Sequence, residues 1–166
     1  QKAYAAVSIT TSVDNLGNKF FGPSLVRVLI SDTSLQGSPQ DTINVTIEAK
    51  GSSNSFQVKE IGTSGTFELY IAAHTEAFPA NPTNPGTTTS DGYTIVRIHT
   101  SSLTPTPPST QHPNQGSLEI SSPLSSGDTI KIIYGGTTKE IKYEPTTATL
   151  EVDRTTAGDG NKIILR

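Results

Sequence analysis

In the stretch INVTIEA, Ile43, Val45, Ile47 and Ala49 alternate with Asn44, Thr46 and Glu48. A period of two marks an extended strand with one dry and one wet face, because successive side chains leave a pleated backbone on opposite sides. The stretch TIVRIHT repeats the pattern, with Ile95 and Arg97 on one face and Val96 and Ile98 on the other. Comparable short runs, bounded by Gly, Pro, Asn, Asp and Ser, predict strands over 5–12, 24–31, 42–49, 55–61, 66–72, 93–100, 117–121, 129–134, 138–143, 148–153 and 162–166. No segment carries apolar residues at helical spacing between a cap and a closing Gly. Many short strands at regular intervals predict an all-β fold, an immunoglobulin-like or jelly-roll-like antiparallel β-sandwich.

Composition agrees with that expectation. Only 32% of the 166 residues are hydrophobic and 16% charged, and the balance is rich in Thr, Ser, Gly, Pro and Asn, the residues of strands and turns. That length suits one domain. The reading divides it into an N-terminal strand over 1–12, a sandwich domain over 13–147 and a C-terminal strand segment over 148–166 that resembles the start of a further repeat. With a net charge of -3 and no run of Lys or Arg, nucleic acid is not an expected partner. Cysteine is absent, which excludes disulfides, thiolate metal sites and Cys nucleophiles. Methionine is absent too, and the chain is therefore read as processed or excised from something longer. No stretch approaches the roughly 20 apolar residues of a membrane span. An extracellular, cell-surface location is the expectation.

Two connections stand out. Residues 73–92 and 101–116 are long and rich in Pro and Thr, and Pro lacks the N–H a strand ladder needs. They read as loops: surface linkers, contact arms for neighbouring molecules, or stalks of sugar-bearing Thr and Ser.

The chain also echoes itself. AAVSITTSVDNLGNKFF, over 5–21, and ATLEVDRTTAGDGNKIIL, over 148–165, share an order of parts: apolar strand, Val-Asp, polar turn, Gly-Asn-Lys and a large apolar pair. Val13-Asp14 matches Val152-Asp153, and Gly17-Asn18-Lys19 matches Gly160-Asn161-Lys162.

Residues 24–71 resemble the repeated immunoglobulin-like domains of archaeal surface-layer proteins. The parts that carry the resemblance are Ile30-Ser31-Asp32, the strand from Asp41 to Ile47, the hairpin from Val58 to Phe67 and the SGDTIKIIY strand ending at Tyr134. The turn after Asp32 departs from the DPDLN-like pattern of that family and reads TSLQGSPQ, and the two loops are longer than its repeat usually allows. The resemblance implies a structural module of an extracellular array. It also implies that ATLEVDR is a strand of the kind that opens a following domain.

Residues with chemical potential were weighed against enzyme templates. His74, His99 and His112 are scattered without ligand spacing and read as solvated surface residues. No Ser lies in a G-x-S-x-G elbow, and there is neither a phosphate-binding loop nor a dinucleotide fingerprint. An enzyme is not expected. Ca2+ is the one cofactor considered: Asp32, Asp41 and Glu60 offer hard oxygens in loops at one end of the sheets, as do Asp14, Asn15, Asn18, Asp153 and Asp159. Asp and Asn equally build turns by bonding their own backbone. Lys19 or Lys162 could join an isopeptide crosslink, with no partner located. NVT at Asn44 is a glycosylation acceptor pattern on the wet face of its strand, whereas Asn81 precedes Pro and drops out.

The expected function is a structural subunit of a filament or surface layer, with copies of the chain as its partners, polymerising by donation of a β-strand to an open sheet edge. The donor candidates are Tyr4, Ala5, Val7, Ile9 and Thr11 at one end and Leu150, Val152, Ile163 and Leu165 at the other. The alternative is a secreted adhesive or carbohydrate-binding sandwich. Trp is absent and the five Tyr and five Phe are dispersed, which argues against an aromatic sugar platform.

Overall fold

The computed structural model describes residues 6–22, 24–73, 93–100 and 115–145. They form ten strands: β1 (Val7–Thr11), β2 (Lys19–Phe21), β3 (Leu25–Asp32), β4 (Thr42–Ala49), β5 (Ser52–Lys59), β6 (Thr66–Ala73), β7 (Tyr93–Thr100), β8 (Gln115–Ile120), β9 (Thr129–Tyr134) and β10 (Thr137–Glu144). Short 3-10 turns at Asp14–Leu16 and Thr33–Leu35 are the described helical elements. No helix among the described residues is long and apolar enough to cross a membrane.

The strands make two five-stranded sheets, one in the order β1-β3-β6-β7-β8 and the other in the order β2-β10-β9-β4-β5. The sheets pack face to face as a sandwich. Their inward residues alternate as the sequence pattern requires: Val26, Val28 and Ile30 on β3, Phe67, Leu69 and Ile71 on β6, and opposite them Val45 and Ile47 on β4, Ile130 and Ile132 on β9 and Ile141 on β10, all fully buried. Each fully buried side chain of this size is worth about 1.5–3 kcal/mol of transfer free energy, and together these side chains are the main force holding the layers together.

Both sheets are mixed rather than antiparallel throughout, which corrects the strand directions expected from the sequence. β6 with β7, β7 with β8 and β10 with β2 run parallel. Tight turns serve the antiparallel pairs: Lys50-Gly51 joins β4 to β5 and Gly135-Gly136 joins β9 to β10, every one of the four with positive φ. Such turns match the twist of the strands they join. A parallel pair has to return the chain to its starting end and needs a connection of about a dozen residues or more. The lengths of the segments 74–92 and 101–114 thus follow from the directions of β6, β7 and β8.

A second correction concerns β7. Its two faces were expected to differ, yet Thr94, Ile95, Val96, Ile98, His99 and Thr100 are all buried. A strand parallel to both neighbours in the middle of a sheet is commonly covered on both sides. His99, read from sequence as a solvated surface residue, is only 2% exposed, with Nδ1 at 3.0 Å from the carbonyl oxygen of Thr100.

Candidate functional site

A single run of chain closes one side of the sandwich. β1 pairs antiparallel with β3 at the edge of the first sheet, in the register Val7↔Asp32 to Thr11↔Val28. The chain then crosses through Val13 and the 3-10 turn to the second sheet, where β2 runs parallel to β10 with Lys19↔Lys142, Phe20↔Tyr143 and Phe21↔Glu144. Residues 7–21 therefore supply the edge strand of both sheets.

The local chemistry of this crossing is specific. Val13 enters the core, and its carbonyl accepts the amides of Leu16 and Asn18, which tightens the turn. Gly17 and Asn18 follow with φ of 67° and 58°, left-handed conformations that Gly and Asn adopt at the lowest cost. Thr11 donates its hydroxyl to Asp14 Oδ1 at 2.6 Å, and Lys139 Nζ lies 2.9 Å from the same oxygen. Partial burial pushes the Asp14 carboxyl up, but the hydrogen bonds from Thr11 and Lys139 outweigh it and hold the pKa below the ordinary value. Phe20 is 1% exposed and meets Tyr143 edge to face, ring centroids 5.3 Å apart.

Of the donor-strand residues expected from the sequence, Val7, Ile9 and Thr11 do share the inward face of β1; Ile9 is buried and the other two are half-buried. In the single chain they pair with β3 of the same molecule, so this part of the edge is filled from within. Tyr4, Ala5, Leu150, Val152, Ile163 and Leu165 lie outside the described residues. Sequence reasoning noted Val13, Asp14 and the Phe20-Phe21 pair as parts of the echoed stretch but missed Lys139, the partner of Asp14. The available signal was the Gly-Asn pair, whose two residues suit consecutive left-handed positions.

The candidate Ca2+ ligands have other partners. Asp32 Oδ1 accepts the amide and hydroxyl of Ser34 at 3.0 and 2.6 Å, while Oδ2 accepts the Tyr134 hydroxyl at 2.7 Å. Glu60 is fully buried, and its two oxygens accept the amides of Gly65 at 2.5 Å and Asp41 at 2.8 Å. Among the described residues no three His, Cys, Asp or Glu side chains gather as a cation site. Asp32 and Glu60 build turns through these contacts, and Asp41 joins them through its backbone amide. Asn44 is exposed on the outer face of β4, beside Gln57 of β5, as the alternation requires.

Compared with family models, curated proteins and solved structures, the chain matches none. The functional reading therefore stands on the sandwich and its edges.

Proposed function

We propose that this protein is a structural subunit of an extracellular cell-surface assembly, a filament or a surface layer, whose copies join by adding a β-strand of one to a sheet edge of the next. The observation that carries the reading is the edge segment 7–21. It completes both sheets at once, yet in the first sheet it is attached through a five-residue strand whose one deeply buried side chain is Ile9. Backbone pairing of this kind is satisfied equally by an intramolecular or an intermolecular strand, and the inward alternation fixes the register of either. The resemblance of residues 24–71 to surface-layer repeats supports the same reading, as does the solvent-facing acceptor pattern at Asn44, where a glycan would project clear of the inter-sheet core.

Among the described aromatic residues Phe20, Phe56, Phe67 and Tyr143 are core residues and Phe21 is an exposed ring, and a lone exposed ring is a weak basis for the carbohydrate-binding alternative. Electron microscopy of the purified chain over a range of concentrations tests the proposal. Regular threads or a two-dimensional lattice with a subunit-sized repeat are expected. Monodisperse monomers at every concentration would overturn it.

A further inference from the structure

Four strands end the two sheets: β1 and β8 in the first, β2 and β5 in the second. An outermost strand presents a row of N–H and C=O groups that only water or another strand can satisfy, and natural sheets guard such rows by shortness, charge, Pro or a covering segment. Three of the four are guarded. β2 has three residues, one of them Lys19. β1 is flanked at its start by the turn at Gly135, against which Val7 packs, and at its end by the crossing in which Thr11 holds Asp14. β5 is partly satisfied from within: the carbonyl of Gln57 accepts the Thr94 hydroxyl at 2.8 Å, and Asn54 Oδ1 accepts the amide of Ser55 at 2.9 Å. β8 differs. Gln115–Ile120 contains no Pro, Lys or Arg and pairs with β7 along one side, and among the described residues no strand pairs with its other side.

We propose that β8 is where two copies of the chain pair, antiparallel about a two-fold axis at Leu118, so that the first sheets of the two copies run on as one. The strand itself selects this occupant. A two-fold axis normal to the sheet keeps inner faces inner, so opposed residues share a face and the register changes in steps of two. Leu118 and Ile120 point into the core, 2% and 1% exposed, while Ser117 and Glu119 point outward. Centring the pair on Glu119 sets two carboxylates face to face, and like charges directly opposite destabilise a sheet. Centring it on Ser117 leaves Ile120 beyond the start of the partner strand. Centring it on Leu118 places Ser117 opposite Glu119 twice over, each hydroxyl able to donate to a carboxylate, and places Ile120 opposite Gly116. Gly116 has no side chain to oppose it, and the Phe56 ring that lies over it carries the apolar layer up to the junction. Leu118 and Ile120 are already buried within one copy, so the junction rests on backbone bonds and the two Ser117–Glu119 pairs and forms as concentration rises. The inference goes beyond the assembly reading, because it concerns the margin of the sandwich opposite residues 7–21 and holds for a pair whether or not a polymer follows.

Sedimentation equilibrium of the full chain over a concentration series tests this. The unmodified chain should show a monomer–dimer equilibrium. Ser117→Asp creates two like-charge pairs across the axis and should raise the dissociation constant roughly tenfold. Ser117→Lys should lower it, a reversal with charge sign that a loss of folding would not produce. Asn44→Asp, the same change of net charge on exposed central strand β4, should leave it unaltered. A disulfide checks the register, since neighbours across paired strands are within its reach and the chain has no cysteine of its own. Ser117→Cys and Glu119→Cys chains of different tagged length, mixed under oxidising conditions, should give mainly the mixed dimer. Mainly like-with-like dimers, or a dissociation constant indifferent to the charge at 117, would overturn the inference. Either result beside regular threads in the microscope leaves the assembly reading standing, whereas monomers throughout with no threads would overturn both.

Discussion

Tyr134 donates its hydroxyl to Oδ2 of Asp32 at 2.7 Å, joining the end of β9 in one sheet to the end of β3 in the other across 102 positions of sequence. Burial raises the Tyr134 phenol, and the Asp32 carboxylate raises it further, to about 12. Burial also raises the Asp32 carboxyl, but the bonds from Ser34 and Tyr134 more than offset this and leave its pKa lowered. The pair thus stabilises the fold over a wide pH window. Asp32, depressed in the folded state, contributes above its ordinary carboxylate value, and that contribution is lost as pH falls through its folded pKa. Tyr134, raised in the folded state, contributes fully below about 10 and loses its contribution as pH rises through about 12. Tyr134→Phe is expected to cost about 1.5 kcal/mol at neutral pH, the scale for a hydrogen bond to a charged group. Urea unfolding at neutral and acid pH checks this, with a smaller difference at acid pH. Spectrophotometric titration should show a phenol ionising near pH 12 disappearing in the variant.

Glu60 is a carboxylate with no exposure whose two oxygens are both spent on backbone amides. Glu60→Gln keeps the shape but offers one acceptor and a donating NH2, which faces an N–H. A loss of about 2–3 kcal/mol is expected from the unsatisfied buried donors, read as a lower urea midpoint with unchanged slope. Because those oxygens and the Asp32 carboxylate already have partners, Ca2+ or a chelator should leave the melting temperature unchanged; a rise with Ca2+ would contradict the contacts described.

The strands themselves were legible. Thr42–Ala49, Tyr93–Thr100 and Thr129–Tyr134 have the bounds that periodicity and turn residues predicted. Lys19–Phe21 was not foreseen, since three residues are too few to show a period. Strand direction was hidden as well: residues 73–92 and 101–116 were recognised as long connections, but length alone does not say that a parallel pairing requires it. His99 was read as a surface residue because the three His residues lie scattered without ligand spacing, and the covering of β7 on both sides buries it. Contacts such as Tyr134 with Asp32 join distant segments and leave no local pattern to read.

On the other side of the sandwich, the ring of Phe56 occupies the space where Gly116 would carry a Cβ, with ring carbons at 2.3 and 2.4 Å from that position. The contact brings β5 of one sheet against β8 of the other. Gly116→Ala is expected to cost about 1–3 kcal/mol, since a buried ring cannot withdraw as a flexible side chain would. Phe56→Leu makes room at the price of some burial. In the double variant the two losses should therefore sum to less than their separate values, and a thermodynamic cycle of thermal or urea unfolding measures that coupling.

The edge segment should open before the rest of the fold does. β1 is short and at the sheet margin, and its attachment is reinforced by Asp14 with Thr11 and Lys139, contacts that are partly exposed: the Lys139 and Asp14 side chains retain 22% and 31% of their accessibility. A pair in such a setting contributes at most about 1 kcal/mol. Asp14→Ala should accordingly leave global unfolding little changed while raising local opening of residues 7–21 roughly fivefold, the factor that about 1 kcal/mol represents. Hydrogen exchange separates the two effects: the amides of β1 that bond to β3 should exchange faster, while those of β6, deep in the same sheet, should not. If the edge is where copies join, the same variant should also release its own segment more readily and shift the concentration at which assembly begins downwards. Faster exchange on β1 with an unchanged assembly threshold would separate the stability of the edge from its use.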